Sequence, residues 1–292
     1  MSFAVALLRT LRPHQWVKNV FVAAALVFSK HLTDADYALR AALAIAAFCA
    51  LSGAVYAFND VRDVEADRAH PSKRHRPIAS GKVTERSALT MALVLAIGAL
   101  AGCFLLDWRL GIVAVAYLAQ NVAYSLKLKH IAFLDVGLIA SGFLLRVLAG
   151  AYAIDVPASE WILLCTALLA TFLGLGKRAH ELAWAERSGQ ATATRAALAG
   201  YKLGVVRKLL YVLGVITCAA YAAYTLEGAP GVFGTDRLIL STPFVALGIV
   251  RYLYLALWRP RDESPTEAML KDPLFLLDLA VATAAMIYLI YA

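Results

Sequence analysis

The sequence predicts an all-α integral membrane protein, and three observations lead to that prediction. Hydrophobic residues make up 61% of the 292-residue chain and charged residues only 16%. The mean hydropathy is +0.69, well beyond that of soluble globular domains. The apolar residues are also gathered into stretches of about 20, the length that crosses the hydrocarbon core of a bilayer as an α-helix. We therefore expect a single polytopic membrane domain over residues 1–292.

Nine apolar stretches are long enough to be membrane spans, and short polar segments separate them. The third and fourth stretches are separated only by Asp107 and Trp108, which predicts a tight turn between two spans. Together the stretches predict a bundle of nine transmembrane helices. They lie at residues 14–31, 37–58, 86–106, 109–126, 132–154, 160–177, 206–226, 237–257 and 273–291.

Positive charge alternates between the loops. The basic loops lie at 59–85, 127–131, 178–205 and 258–272, and loops almost without Lys or Arg lie near 32–36, 155–159 and 227–236. The positive-inside rule places the basic loops and the N-terminus in the cytoplasm. This topology, with attraction to anionic lipid, explains most of the net charge of +8, so we do not expect nucleic-acid binding. We expect a multi-pass protein of a bacterial-type inner membrane, with its functional loops facing the cytoplasm.

An acidic stretch follows the second predicted span. At about 100° per residue, Asn59, Asp60, Asp63 and Asp67 fall within about a 100° arc of one helix, whereas Glu65 points elsewhere. Packed carboxylates repel each other unless a cation lies between them, and hard oxygen ligands suit Mg²⁺. A solvated acidic helix end is the alternative. We favour a metal site, because solubility does not require aspartates on one face directly beneath a span.

A group of cations comes directly after the acidic stretch. Lys73, Arg74 and Arg76 lie within a few residues of it, in a segment that Pro77 and Gly81 predict to be a shaped loop. Metal ligands beside cations are what a phosphorylated, metal-bound substrate requires. For Lys73 and Arg76 we therefore favour substrate contact over contact with anionic lipid.

Further polar residues lie at the predicted cytoplasmic ends of other spans. Each of them is also explained as an interface anchor, but together they would surround the acidic face with cations if the spans form one bundle. Tyr56, one helical turn before Asn59, is expected to line the same site. The other candidate substrate-binding residues of this kind are Lys18, Tyr124, Lys127, Lys177 and Arg178.

Arg146, Asp135 and Asp278 are charged residues inside predicted spans, where charge is costly and usually faces a partner or a cavity. Arg146 is the most informative of them, and its pairing with a buried acid and its binding of a ligand are equally supported. Asp135 is the candidate acid for such a pair, although it lies nearly one span-length away. Asp278 is a similar intramembrane acid.

The stretch at 59–67 matches the N-D-x-x-D-x-x-x-D motif, and the sequence resembles the UbiA superfamily of nine-helix membrane enzymes. These enzymes act on polyprenyl substrates with Mg²⁺. Span number and loop placement agree over essentially the whole chain. The resemblance implies a metal-diphosphate complex in a cavity capped by cytoplasmic loops. It also implies Asn59, Asp60, Asp63 and Asp67 as metal ligands, and the three aspartates as catalytic residues.

Segments 12–19, 59–67, 73–81 and 124–125 are most similar to the decaprenyl-phosphate phosphoribosyltransferase branch of the superfamily. One departure from the other branches supports this assignment. Members that use prenyl diphosphates carry a second aspartate-rich motif near span six, where this chain reads Lys-Arg-Ala-His-Glu at 177–181. Cations at that place would hold a phosphate directly, without a second set of metal ions.

The resemblance implies a Mg²⁺-dependent enzyme of cell-envelope biosynthesis. It would transfer 5-phosphoribose from 5-phosphoribosyl 1-diphosphate to a polyprenyl phosphate and release diphosphate. One alternative is a prenyltransferase with an aromatic or quinone-type acceptor, which lacks support from Lys177 and Arg178. Another is a transporter, but broken helices with paired Gly or Pro interruptions are not evident. The lipid chain length stays open, and so does the oligomeric state, a homo-oligomer included.

Overall fold

In the part of the chain that the structure describes, seven helices are long and apolar enough to cross a membrane, judged by length and composition. The computed structural model describes residues 2–188, 196–259 and 265–291, and every regular element in those ranges is a helix. The all-α prediction is therefore confirmed, but the predicted spans 14–31 and 109–126 are not among the seven. The seven helices are Ala35–Arg62, Glu85–Leu106, Leu134–Ala153, Glu160–Arg187, Leu203–Phe233, Arg237–Trp258 and Pro273–Tyr291.

The segment predicted as the first span is helical but divided. Pro13–Ala23 forms 11 residues of 3₁₀-helix, and Ala24–Phe28 continues as five residues of α-helix. A 3₁₀-helix rises about 2.0 Å per residue and an α-helix about 1.5 Å. The two pieces together therefore extend about 30 Å, close to the thickness of the hydrocarbon core. The segment has the length of a span although no single long helix forms.

The fourth predicted span forms a helix, Trp108–Leu126, but two amide side chains in its last two turns reduce its apolar character. A single residue, Asp107, separates this helix from the preceding helix Glu85–Leu106. The Asp107 carboxylate accepts a hydrogen bond from the Arg109 backbone N–H at 2.7 Å and so caps the new helix. The tight turn predicted at this point is confirmed.

The chain folds as two compact units. The first consists of Met1–Leu128 and Gly142–Ala158, and the second of Lys129–Ser141 and Ser159–Ala292. The helix Leu134–Ala153 contributes its first part to the second unit and its remainder to the first. A single domain for the whole chain stays a prediction.

The helices of the first unit are α1 (Phe3–Thr10), α2 (Ala24–Phe28), α3 (Ala35–Arg62), α4 (Val64–Ala69), α5 (Glu85–Leu106), α6 (Trp108–Leu126) and the greater part of α7 (Leu134–Ala153). Its core lies where α3 packs against α5 and α6 around the fully buried Phe48. Gly150 of α7 approaches the 3₁₀ segment so closely that a Cβ would overlap the Val22 carbonyl oxygen. Only glycine permits this packing, which brings the segment that carries Asn19 beside the helix that carries Arg146.

The second unit contains the start of α7 and six further helices. Its core includes Phe172 and Tyr252, whose ring centroids lie 5.1 Å apart. A π-helical turn, Tyr224–Gly228, joins α9 to α10, and a second, Tyr254–Trp258, extends α11. The six helices are α8 (Glu160–Ser188), α9 (Leu203–Ala223), α10 (Ala229–Phe233), α11 (Thr242–Leu253), α12 (Pro265–Leu270) and α13 (Pro273–Tyr291).

Candidate active site

The acidic stretch lies at the junction of α3 and α4. Asp63 is the residue between Arg62 and Val64, with φ −96° and ψ 8°, so the single continuous helix predicted there is interrupted. The helical spacing nevertheless survives. The Asp63 N–H donates to the Asn59 carbonyl at 2.9 Å, and the Asp67 N–H donates to the Asp63 carbonyl at 2.8 Å. The four-residue spacing of the polar side chains is therefore retained.

Two of the carboxylates in this stretch are held by arginines. Arg76 Nη1 lies 2.6 Å from Asp67 Oδ2 and 3.2 Å from Asp60 Oδ1, and Arg12 Nη2 lies 2.5 Å from the same Asp60 oxygen. The carboxylates are 3% and 5% exposed, whereas the arginine side chains keep 22% and 27%. Guanidinium groups thus supply the positive charge that packed carboxylates require. As a group, these four side chains carry no net charge.

Arg12 is a site residue that sequence reasoning misses. Its backbone lies in the left-handed region, with φ 51° and ψ 63°, and the following Pro13 disfavours the right-handed α conformation there. In this conformation the guanidinium lies 5.2 Å from the centre of the Tyr56 ring and contacts Asp60. The available signal is an arginine placed directly before a proline at the start of a predicted span.

Asn59 and Asp63 form a separate pair in the same stretch. The Asn59 amide Nδ2 donates to Asp63 Oδ2 at 3.1 Å, and both side chains are partly buried. Glu65 is exposed and pairs with Arg68 at 2.7 Å. The prediction that Glu65 points away from the other acids is confirmed.

The oxygen donors at this helix end fit a hard divalent cation. Among the described residues, no group of three or more His, Cys, Asp or Glu side chains is arranged to hold a metal ion by itself. Mg²⁺, however, is usually bound by one or two carboxylates together with waters and substrate phosphates. The Asp63 carboxylate and the Asn59 amide oxygen supply a partial set of this kind.

The segment after α4 is the shaped loop that the sequence predicts. A single 3₁₀ turn, Lys73–His75, follows α4, and the Val83 N–H closes the loop by donating to the Pro77 carbonyl at 3.1 Å. Of the cations predicted here, Lys73 is partly buried and Arg74 is exposed. Arg76, as described above, contacts the acidic side chains.

Other predicted ligands of the first unit lie near helix ends. Lys18 is partly buried in the 3₁₀ segment, Tyr124 is partly buried in the last turn of α6, and Lys127 is exposed just after α6. Tyr56 is partly buried one turn before the acidic stretch. Contact of these four side chains with a substrate stays a prediction.

Arg146 is held by neutral groups. Its Nε donates to Asn19 Oδ1 at 2.8 Å, its Nη1 to the Gly142 carbonyl at 2.9 Å, and its Nη2 to the Tyr117 hydroxyl at 2.8 Å. The residue is 6% exposed. The predicted pairing of Arg146 with Asp135 is wrong, because Asp135 has another partner in the second unit.

That partner is Arg178. Its Nε lies 2.9 Å from Asp135 Oδ2, and both side chains are 0% exposed. Arg178 also contacts the Glu181 carboxylate, and the Tyr201 hydroxyl donates to Asp135 Oδ1 at 2.6 Å. Burial and the hydrogen bond to Asp135 raise the pKa of Tyr201 above its usual value, so the hydroxyl stays protonated and serves as a donor.

This ion pair changes the interpretation of the basic motif at 177–181. Asp135 and Glu181 neutralise Arg178, and the charges of these three residues and Lys177 sum to zero. The motif is therefore less basic than its sequence suggests. Arg178 is fully buried and ion-paired inside the second unit, and Lys177 is partly buried on α8. Contact of either residue with a phosphate stays a prediction.

The apolar helices and the acidic helix end fit a polytopic membrane enzyme that binds a charged substrate. The chain belongs to the UbiA prenyltransferase family, which matches residues 19–279.

Its relatives include decaprenyl-phosphate phosphoribosyltransferases from two mycobacteria. The Mycolicibacterium smegmatis protein is 37% identical over 258 residues, which cover 84% of this chain and 80% of that one. The Mycobacterium tuberculosis protein is 38% identical over 257 residues, which cover 86% and 83%. Among solved structures, a UbiA homolog from Archaeoglobus fulgidus bound to GPP and Mg²⁺ superposes with a TM-score of 0.71 at 18% identity, covering 97% of each chain. This last likeness establishes a shared fold.

Proposed function

We propose that this protein transfers 5-phosphoribose from 5-phosphoribosyl 1-diphosphate to a polyprenyl phosphate of the decaprenyl type and releases diphosphate. The observation that carries the proposal is the identity of 37–38% with relatives of that name over more than four-fifths of the chain. The oxygen donors and cations around the end of α3 supply the chemistry that a metal-bound diphosphate requires.

Asn59 and Asp63 are the proposed direct ligands of Mg²⁺. The bound ion would offset the negative charge that develops on the departing diphosphate. Asp60 and Asp67 support the site by holding Arg12 and Arg76 at the same helix end, and they would bind the metal directly or through water. Because these arginines are partly exposed, their side chains are able to exchange a carboxylate for a phosphate.

The reaction replaces one C–O bond at the ribose C1 by another. The bond from C1 to the diphosphate oxygen breaks, and its electron pair leaves with diphosphate while C1 acquires oxocarbenium character. An oxygen of the lipid phosphate then bonds to C1. That oxygen is already anionic, so no proton has to be removed and no general base is needed.

Two negatively charged substrates must be brought together in this reaction. Positively charged side chains reduce their mutual repulsion and hold them in reactive geometry. Arg74 and Tyr124 belong to the same proposed set, as a further cation and a hydroxyl. The lysines that we assign to this role are Lys18, Lys73, Lys127 and Lys177.

We also propose a topology of nine spans with a cytoplasmic active site. The 3₁₀ segment with α2 has the length of a span, and α6 is a helix of 19 residues. By the positive-inside rule, the basic loops support a cytoplasmic position for the end of α3. In this arrangement the loop between α4 and α5 caps the site.

The alternative is transfer of a prenyl group from a prenyl diphosphate to an aromatic or quinone-type acceptor. The family and its solved structures favour this chemistry in general. This chain departs from that branch at 177–181, where Lys177 and the neutralised Arg178 stand in place of a second group of aspartates.

Labelled donors distinguish the two reactions. Purified protein in nanodiscs is incubated with Mg²⁺, decaprenyl phosphate and labelled phosphoribosyl diphosphate, or with labelled geranyl diphosphate and 4-hydroxybenzoate. We expect label in the lipid extract from the first mixture only, dependent on Mg²⁺ and lost in the Asp63→Asn variant. Transfer from the prenyl diphosphate with none from phosphoribosyl diphosphate would overturn the proposal.

A further inference from the structure

Arg146 is a buried cation that no carboxylate neutralises among the residues that the structure describes. A charge removed from water is costly unless it is paired. The three hydrogen bonds of Arg146 all go to neutral oxygens, which lower this cost without cancelling the charge. The ion-paired acids of the first unit are Asp60, Glu65, Asp67, Asp107 and Asp155, and none of them contacts Arg146.

The surroundings of Arg146 fix the orientation of its guanidinium. The Asn19 amide that accepts from Nε is itself held, because its Nδ2 donates to Cys49 Sγ at 3.2 Å and to Ser52 Oγ at 3.3 Å. The Tyr117 ring centre lies 4.8 Å from the guanidinium carbon. A guanidinium has five N–H groups, and three are accounted for. Two remain available on a group whose plane is already set.

Two nitrogen donors lie close to Gly142. A Cβ built on Gly142 would lie 3.6 Å from Arg146 Nη1 and 3.5 Å from the Gln120 amide Nε2. The glycine thus keeps side-chain bulk away from the guanidinium. A phosphate oxygen is an acceptor that such donors bind.

Arg146 is also close to the acidic site of the first unit. The Arg12 guanidinium carbon lies 5.2 Å from the centre of the Tyr56 ring, and Arg146 is near enough to the same tyrosine to act on it electrostatically. Arg12 is neutralised by Asp60. Of these two arginines, Arg146 is therefore the one whose charge a ligand can neutralise.

We propose that Arg146 binds a phosphate group of one of the two substrates through the N–H groups that its three hydrogen bonds leave over. This inference rests on the proposed function for the identity of the ligand. The phosphate belongs either to the 5-position of phosphoribosyl diphosphate or to the lipid acceptor. Both phosphates are anions whose oxygens accept hydrogen bonds from a planar guanidinium.

Two variants and one matched control test the proposal. Arg146→Gln removes the charge, and Gly142→Ala adds a methyl group beside the guanidinium at ordinary contact distance from its neighbours. Arg86→Gln removes an exposed arginine of the same unit. Thermal midpoints are measured with inorganic phosphate in the presence of a chelator, with phosphoribosyl diphosphate and with a polyprenyl phosphate, and the KM is measured for each substrate.

We expect Arg146→Gln to lose the stabilisation by inorganic phosphate and to raise the KM of one substrate at least about tenfold. The substrate whose KM rises is the source of the phosphate. Without ligand, the midpoint of Arg146→Gln should equal or exceed that of the wild type, because no ion pair is broken. Gly142→Ala should fold equally well and raise the same KM, whereas Arg86→Gln should change neither quantity.

The inference is overturned if Arg146→Gln and Gly142→Ala both keep the wild-type response to phosphate and both KM values. It is also overturned if none of the three probes stabilises the wild type. If Arg146→Gln does not fold, Gly142→Ala decides alone. Phosphate stabilisation that requires Arg146, without any phosphoribosyl transfer by the wild type, would support the anion site and reject the proposed function.

Discussion

Two groups of buried, ion-paired aspartates, one in each unit of this protein, differ in the exposure of their arginines. In the first unit, the buried Asp60 and Asp67 are paired with arginines that remain partly exposed to solvent. In the second unit, Asp135 and Arg178 are both completely buried. The residue types are the same, but access to water differs.

This difference separates a site that can change partners from one that cannot. A guanidinium that reaches water can leave its carboxylate at modest cost, because solvent or a phosphate takes over its hydrogen bonds. Breaking a sealed pair leaves a charge in a low-dielectric interior, which costs several kcal/mol. We therefore assign ligand exchange to the first arrangement and a structural role to the second.

The largest expected effect concerns Asp63, the proposed metal ligand. Asp63→Asn keeps the size of the side chain but loses its charge, so turnover should fall by about a hundredfold or more. Turnover is measured over a Mg²⁺ titration with both substrates. Glu65→Gln is the matched control, because this acid belongs to the same stretch but is exposed, and it should stay near wild type. Wild-type turnover and an unchanged Mg²⁺ response in Asp63→Asn would remove the metal assignment.

The fully buried pair of Asp135 and Arg178 should affect the stability of the protein and not its turnover. Asp135→Asn should lower the thermal midpoint strongly, by about 3 kcal/mol in free energy of unfolding, because Arg178 loses a buried counter-charge. Turnover per folded molecule should change little. The double variant Asp135→Leu with Arg178→Met should recover most of the stability. An Asp135→Asn protein that is stable but inactive would place this pair in the active site instead.

Lys177 tests whether the remaining cation of the basic motif binds phosphate. Lys177→Ala should raise the KM for one substrate by about ten- to a hundredfold, because a hydrogen bond to a charged group contributes about 1.5–3 kcal/mol. The Mg²⁺ requirement should not change, and Lys177→Asp should be inactive through repulsion. Lys208→Ala removes an exposed lysine of the same unit and serves as the control. Wild-type kinetics in both Lys177 variants would make this residue an interface anchor.

The smallest expected effect concerns Asp107, the cap of α6. Asp107→Ala should destabilise the protein by about 1 kcal/mol. Hydrogen bonds from the Arg109 side chain and backbone hold the pKa of Asp107 below its usual range. The stabilisation is therefore present above the unfolded pKa of about 3.9 and is lost as the pH falls through the lower folded value.

The pH profile of the thermal midpoint checks this prediction. The difference between wild type and Asp107→Ala should shrink as the pH is lowered toward 3. Thr84→Ala removes a cap that does not titrate, so its effect should stay constant with pH. A pH-independent difference for Asp107→Ala would show that the carboxylate charge contributes nothing.

Much of the fold could be predicted from the sequence, because it depends on properties that are local along the chain. Apolar stretches of span length give the long helices, and Asp107 caps a helix through its own neighbours. The spacing from Asn59 to Asp67 likewise places carboxylates at a helix end and Glu65 away from them. The first predicted span was harder to foresee, because a 3₁₀ segment and a short α-helix have the same apolar pattern as one longer helix.

The sequence by itself determined the membrane class, the acidic site and the resemblance to a family. Only the tertiary structure decided which charges are neutralised. Arg12 contacts Asp60, which lies 48 positions away in the sequence. Asp135 pairs with Arg178, although Arg146 lies on the same helix as Asp135. Such partners depend on which helices pack together and which way each side chain then faces. Spacing along the chain does not contain that information. Arg and Asp therefore form a partly exposed ion pair in one unit and a fully buried ion pair in the other.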